Sequence, residues 1–400
     1  MTEQFLSRRA LGLAPSATLA MGNKAGRLKA EGKAVISFSV GETGFSTPRR
    51  ICEAAKCAID SGRHGYTPVS GIPELREAIA RSLSQKIGFA YRPSQVVVSP
   101  GGKYSLYLAL LALVNPGDEV LIPAPYWVSY PEMVRLAGGV PIFVESREEE
   151  FFAVTPEAIE RAITPRSKLL ILNSPSNPSG QAIPPANVRA IGELVERAGL
   201  WCLSDEIYDS LLFDGAIHKS PASVSEYCRD HTVVVNGCSK TYAMTGWRLG
   251  WIGARAELAA AIGDIQSQTC SNPSFIAQAA AVEALNGPQD EVAAMRDSFD
   301  RRRLLIYRLL NDIPGFSLVK PNGTFYALPN ISGIFGRALA GTVIDGPLQF
   351  CETALERALV AMVPGEAFGA PRHVRISYAA GDGDIEEGCR RLRELVDRLS

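Results

Sequence analysis

Residues 236–251 read NGCSKTYAMTGWRLGW, setting Lys240 among small residues, with Arg248 after it and glycines around both. A lysine prefers water, so its place just beyond the β-branched run 232–235 points to chemistry rather than to a solvated surface charge. Small neighbours and nearby helix ends would push its amine pKa down, and a neutral amine attacks aldehydes. Arg248 supplies planar donors matched to phosphate oxygens.

Other strand ends carry weaker signals of the same kind. After 95–99 comes PGGK, opening a helix at 104–114, so that Gly101, Gly102 and Lys103 place free N–H groups at a positive helix end suited to phosphate. It is not a Walker loop, because Val97 stands where the first glycine would be. After 168–172 comes NSPSNPSG, a proline-locked turn carrying Asn177, which alone reads as a plain turn. After 200–204 comes Asp205, with Tyr208 one helical turn later; alone, Asp205 reads as a helix N-cap. Arg375 lies in the alternating run HVRISY, where a buried arginine needs a carboxylate partner.

These residues need a frame that gathers strand ends. From about residue 94 short β-branched runs (95–99, 119–123, 140–145, 168–172, 200–204, 232–235, 251–253) alternate with amphipathic helices, one opened by Thr155-Pro156 and another closed by Gly199. The alternation predicts an α/β fold with a mostly parallel seven-stranded sheet between helices, and ligands in such sheets sit beyond the carboxyl ends of the strands. Beyond about residue 286 a charged helix (290–310), GTFYALP, another helix and a strand at 373–378 predict a smaller α+β domain. We divide the chain into 1–47, packing with the small domain, 48–288, the large domain, and 289–400.

At this point GCSKTYAMTGWRLG resembles the pyridoxal-phosphate attachment motif of class I aminotransferases. The resemblance extends over nearly the whole chain through YTP (Tyr66) with GIPELR, PYWVSYP, SPSNPSG, SDEIY and VRISY. Within that family the chain resembles the bacterial aspartate aminotransferases that carry a GGK loop and PYWVSYPEM. It implies a fold-type I transferase with pyridoxal 5′-phosphate on Lys240 as Schiff base and proton carrier. Asp205 would face the pyridine nitrogen, Tyr208 and Asn177 the phenolic oxygen, and Trp127 the ring. Gly101, Gly102, Lys103 and Arg248 would hold the phosphate, and Tyr66 would reach the phosphate of a second subunit in a homodimer. Arg375 would take the substrate α-carboxylate, with the backbone at Gly41 closing over it. Lys103 and Thr18 would meet a distal carboxylate, favouring aspartate, glutamate or prephenate, with 2-oxoglutarate or oxaloacetate as acceptor.

The chain departs from the family pattern where Thr43, Gly44 and Ser46 replace a proline and two aspartates, and at Ala14, where the family is usually basic. Both changes flank the substrate entrance, which leaves open an aminotransferase for aromatic or other amino acids. A pyridoxal-phosphate β-lyase or decarboxylase and a non-catalytic sensor are the competing readings. No helix-turn-helix module is expected ahead of 1–47.

The remaining composition excludes more than it adds. Lys plus Arg total 41 against 42 Asp plus Glu, which gives no reason to invoke nucleic acid or a membrane surface. The 8 cysteines form no CxxC pair, so no metal is expected and a cytoplasmic, reduced protein is. The apolar run 106–114 is far below the ~20 residues of a membrane span. SRRALGLAPSATLA resembles an export signal but is broken by Pro15 and reads as a helix entry.

Overall fold

The computed structural model describes residues 5–400. Seven strands form its main sheet: β1 (Val96–Ser99), β2 (Glu119–Pro123), β3 (Val140–Val144), β4 (Ser167–Asn173), β5 (Trp201–Asp205), β6 (Thr232–Gly237) and β7 (Gly250–Gly253). Their order is β1-β7-β6-β5-β4-β2-β3. All neighbours run parallel except β7, which is antiparallel to both β1 and β6.

Side-chain alternation explains why the central strands are apolar throughout. Val97, Leu203, Val233 and Val235 point to one face, under Leu106, Leu108 and Ile262. Val96, Val98 and Val234 point to the other, under Leu75, Ile79 and Ala280. The strands expected from sequence are present, with ends shifted by a residue or two, and in β4, β5 and β6 the backbone pairing outlasts the β-branched runs at the carboxyl end. Thus β5 extends to Asp205 and β6 to Gly237, while the helix α2 (Gly102–Leu113) begins earlier than its apolar pattern.

A second, antiparallel sheet contains Tyr326–Ala327, Val363–Pro364 and Val374–Ser377, with the last strand in the middle. Helices Asp290–Asn311 and Asp382–Asp397 contribute Phe299, Ile306, Ile385 and Leu392 to the core beside it. The N-terminal helix α1 (Ala17–Ala30), capped by Ser16, joins that core through Met21 and Ala25, and Ile36 pairs in parallel with Val360. No helix among the described residues is long and apolar enough to cross a membrane.

Candidate active site

The carboxyl ends of the parallel strands and the start of β7 open into a cavity of about 390 Å³, closed on its far side by α1, the Gly41 loop and the strand that carries Arg375. The turn after β6 delivers Lys240 to its floor. The Nζ donates to the Gly41 carbonyl at 2.5 Å and stands 5.7 Å from the centre of the Phe325 ring. Burial first and then the Arg375 charge lower the amine's pKa to about 8, with Glu42 opposing and Arg248 assisting. The direction is the one read from the sequence, and burial and the Arg375 charge are its largest causes.

Asp205 ends β5 and is buried. Its Oδ2 accepts from Tyr130 Oη at 2.6 Å, and its Oδ1 from the Ile207 N–H at 3.3 Å. Burial raises its carboxyl to about 6 despite those two donors. A cation opposite it in the cavity would hold it ionised. Tyr208 lies in a turn, not in the helix expected, because the chain after Asp205 folds back through Glu206 and Asp209. Its Oη is 3.3 Å from Tyr326 Oη, and burial keeps its pKa well above the ordinary phenol value, so it is present as a donor.

At one end of the cavity β1 and β7 pair with Ser99 opposite Gly250, which brings Gly101, Gly102 and Arg248 together. A Cβ on Gly101, whose φ is +93°, would stand 2.3 Å from Arg248 Nη2. A Cβ on Gly250 would stand 2.3 Å from the Gly102 nitrogen. Only hydrogen fits at either position, and the contact leaves the guanidinium beside the first N–H groups of α2, which lack helical acceptors. Arg248 donates to the Thr245 carbonyl at 2.8 Å, and no carboxylate among the described residues pairs with it. These are the donors a phosphate monoester requires. Lys103 stands at the mouth, its Nζ 4.8 Å from the Trp127 ring centre, and burial and Arg248 lower its pKa.

The opposite wall carries Arg375, 1% exposed and between the Tyr326 and Phe368 rings at 4.6 and 5.0 Å. It donates to Asn177 Oδ1 at 3.1 Å and to the Ser39 carbonyl at 2.8 Å, while its Nε has no partner. The structural ion pair that could have explained a buried arginine does not form with any carboxylate among the described residues. Thr18, on α1, lines the same cavity, and its Oγ1 is buried and unpartnered.

Residues 33–392 match the family model described as aminotransferase class I and II. The chain is 48% identical to the aspartate/prephenate aminotransferase of Cereibacter sphaeroides, over 99% of this chain and 100% of that one. Its structure is similar to the aspartate aminotransferase of Rhizobium meliloti at a TM-score of 0.95 and 41% identity, over 99% of both chains. It is also similar to the Thermus thermophilus aspartate aminotransferase solved with maleate, at a TM-score of 0.92 and 40% identity, over 98% of this chain and 100% of that one. The chain belongs to the class I and II aminotransferases.

In this aminotransferase the cavity gathers Thr18, Gly41, Gly102, Lys103, Trp127 and Asn177 with Asp205, Tyr208, Lys240, Arg248 and Arg375. Gly101 adjoins it through Arg248. Tyr66 is elsewhere, 95% exposed, and does not line its own chain's cavity. Sequence reasoning missed Tyr130, Tyr326 and Glu42 as site residues. Tyr130 and Tyr326 stand inside quoted motifs, PYWVSYP and GTFYALP, but nothing in those strings tells a buried hydroxyl that faces Asp205 or Tyr208 from a core ring.

Proposed function

We propose that this aminotransferase binds pyridoxal 5′-phosphate at Lys240 and moves the amino group of aspartate or glutamate to 2-oxoglutarate or oxaloacetate in two half-reactions. When bound, the cofactor supplies an aldehyde to carry the amino group and a ring to accept electrons from the substrate Cα. The Gly102 and Lys103 amides and Arg248 hold its phosphate, and Trp127 covers its ring. Asp205 keeps the pyridine nitrogen charged, and Tyr208 and Asn177 donate to the phenolic oxygen. Arg375 grips the substrate α-carboxylate, so that the Cα proton comes within reach of Lys240 Nζ. That amine, neutral in part near pH 8, takes the proton and returns it on the other side of the transfer.

The observation that carries the reading is Arg375: a buried guanidinium with an unpartnered Nε and no carboxylate among the described residues at ion-pair distance, in the cavity that holds Lys240. Thr18 Oγ1 and Lys103 support a second carboxylate on the substrate, as do the names of the relatives, including prephenate, and the maleate in the Thermus thermophilus structure. The same reading includes a homodimer, in which exposed Tyr66 reaches the phosphate of the other subunit, and a cytoplasmic location, consistent with 8 unpaired cysteines. It keeps 1–47 and 289–400 as the part that closes over the large domain, 48–288.

Purified protein should be yellow, and borohydride should fix the cofactor to Lys240 but not to a Lys240→Ala variant. Offered a panel of amino donors, it should use aspartate and glutamate, and Thr18→Val should raise KM for these two more than for monocarboxylic donors. Turnover of aromatic or alkyl donors with aspartate and glutamate inert would overturn the assignment of Thr18 and Lys103.

A further inference from the structure

Outside the cavity, directly behind Asp205, a second set of charges is buried. Glu206 follows Asp205 and turns the other way. Its Oε1 accepts from Ser204 Oγ at 2.8 Å, and its Oε2 lies 3.0 Å from His218 Nε2, an ion-pair distance without hydrogen-bond alignment, while His218 Nδ1 is buried with no partner among the described residues. The two side chains are 4% and 10% exposed. Asp209, also buried, takes Lys86 Nζ at 2.5 Å and Asn236 Nδ2 at 3.0 Å. Three buried carboxylates, Asp205, Glu206 and Asp209, thus follow one another within a single turn of chain, with Lys86 and His218 as the cationic groups facing the last two. Tyr91 and Cys202 also face Glu206, and burial holds both in their protonated, uncharged forms.

Lys86 is committed to Asp209, so His218 is the cation at ion-pair distance from Glu206. An ionised carboxylate buried without a partner would cost several kcal/mol and would place a second negative charge next to Asp205. We propose that Glu206 and His218 are positioning residues for Asp205, an ion pair that cancels the charge behind it and thereby sets the charge Asp205 presents to the cofactor nitrogen. Burial alone would lower the His218 pKa, but Glu206, then Asp209, outweigh it, against a smaller opposing effect of Lys86, and leave it raised. The inference rests on the reading of Asp205 given under Proposed function.

Two measurements separate the inference from that reading. In the cofactor-free protein, which has 4 histidines, ¹⁵N NMR should find the His218 ring charged at pH 7 and neutral in Glu206→Gln. A neutral His218 in the unsubstituted protein overturns the proposal, whatever the cofactor does. In the loaded protein, His218→Gln should move the pH midpoint of the cofactor's absorbance upward by about one unit, the effect of one uncancelled charge nearby. Adding Glu206→Gln to His218→Gln should bring the midpoint back to its starting value or below. A merely structural pair would instead show damage that adds in the double variant, and that outcome refutes the proposal. If the protein took up no pyridoxal phosphate, the function would be wrong, while the NMR result would still stand or fall separately.

Discussion

Tyr130 and Asp205 meet below the cavity through a single 2.6 Å hydrogen bond between two buried groups. The phenol's own pKa is driven well above its ordinary value by burial and by Asp205, so it remains the donor. Tyr130→Phe removes the one side-chain hydrogen bond to the carboxylate. Hydrogen bonds to charged groups contribute about 1.5–3 kcal/mol, so cofactor retention should weaken about 10- to 100-fold. Equilibrium dialysis of the loaded protein measures this, and unchanged retention would dismiss Tyr130 as a support for Asp205.

The same carboxylate is a liability in the absence of cofactor. Its folded-state value of about 6 lies above the ordinary 3.8, so between those pH values the folded chain binds more protons than the unfolded one. Stability therefore falls as pH rises through that window, and the full penalty applies above about pH 6. At 1.36 kcal/mol per pKa unit the penalty is at most about 3 kcal/mol. Cofactor-free Asp205→Asn should resist urea better than the unsubstituted protein at pH 7.5, and the gap should close near pH 4. Equal midpoints at both pH values would contradict the buried charge.

Lys240 titrates in the opposite sense. Its value of about 8 means that the amine is mostly protonated at pH 6.5 and mostly neutral at pH 9. The rate at which cofactor-free protein takes up pyridoxal phosphate should accordingly rise across pH 7–9. Arg375 is the strongest charge acting to lower it, so Arg375→Ala should move that rise toward higher pH. A pH profile insensitive to Arg375 would show that burial alone governs the amine.

Gly101→Ala tests the anion end of the cavity. Its added methyl has no room beside Arg248 Nη2, and its φ of +93° strains any L side chain. Displacing Arg248 should cost roughly one charge-assisted hydrogen bond, about a 10-fold or greater loss of affinity for the phosphorylated cofactor. Uptake of pyridoxal, which has no phosphate, should change much less; equal losses for both would point to a general collapse of the loop.

The legible part of this site is the part whose residue types violate a local expectation. Lys240 among small residues, glycines ahead of α2 and an arginine in an apolar strand each stand out in one dimension, and the sheet follows from strand and helix periods. Tyr130, Tyr326 and the pair Glu206–His218 do not stand out, because a tyrosine in a core and a glutamate beside a strand end are ordinary until distant segments meet. Tyr326 reaches Tyr208 across 118 residues of chain and Tyr130 reaches Asp205 across 75, and no spacing rule encodes such meetings. The spacing of Asp205 and Tyr208 suits a helix but is equally compatible with a chain that doubles back, which is what the structure has.

The antiparallel pairing of β6 with β7 joins Gly237 to Gly250. The segment between them, which holds both Lys240 and Arg248, is therefore a closed ring of backbone tied at its neck. Its circumference is set by the sheet, so an inserted or deleted residue could not be absorbed at either end and would pull the amine and the guanidinium out of step.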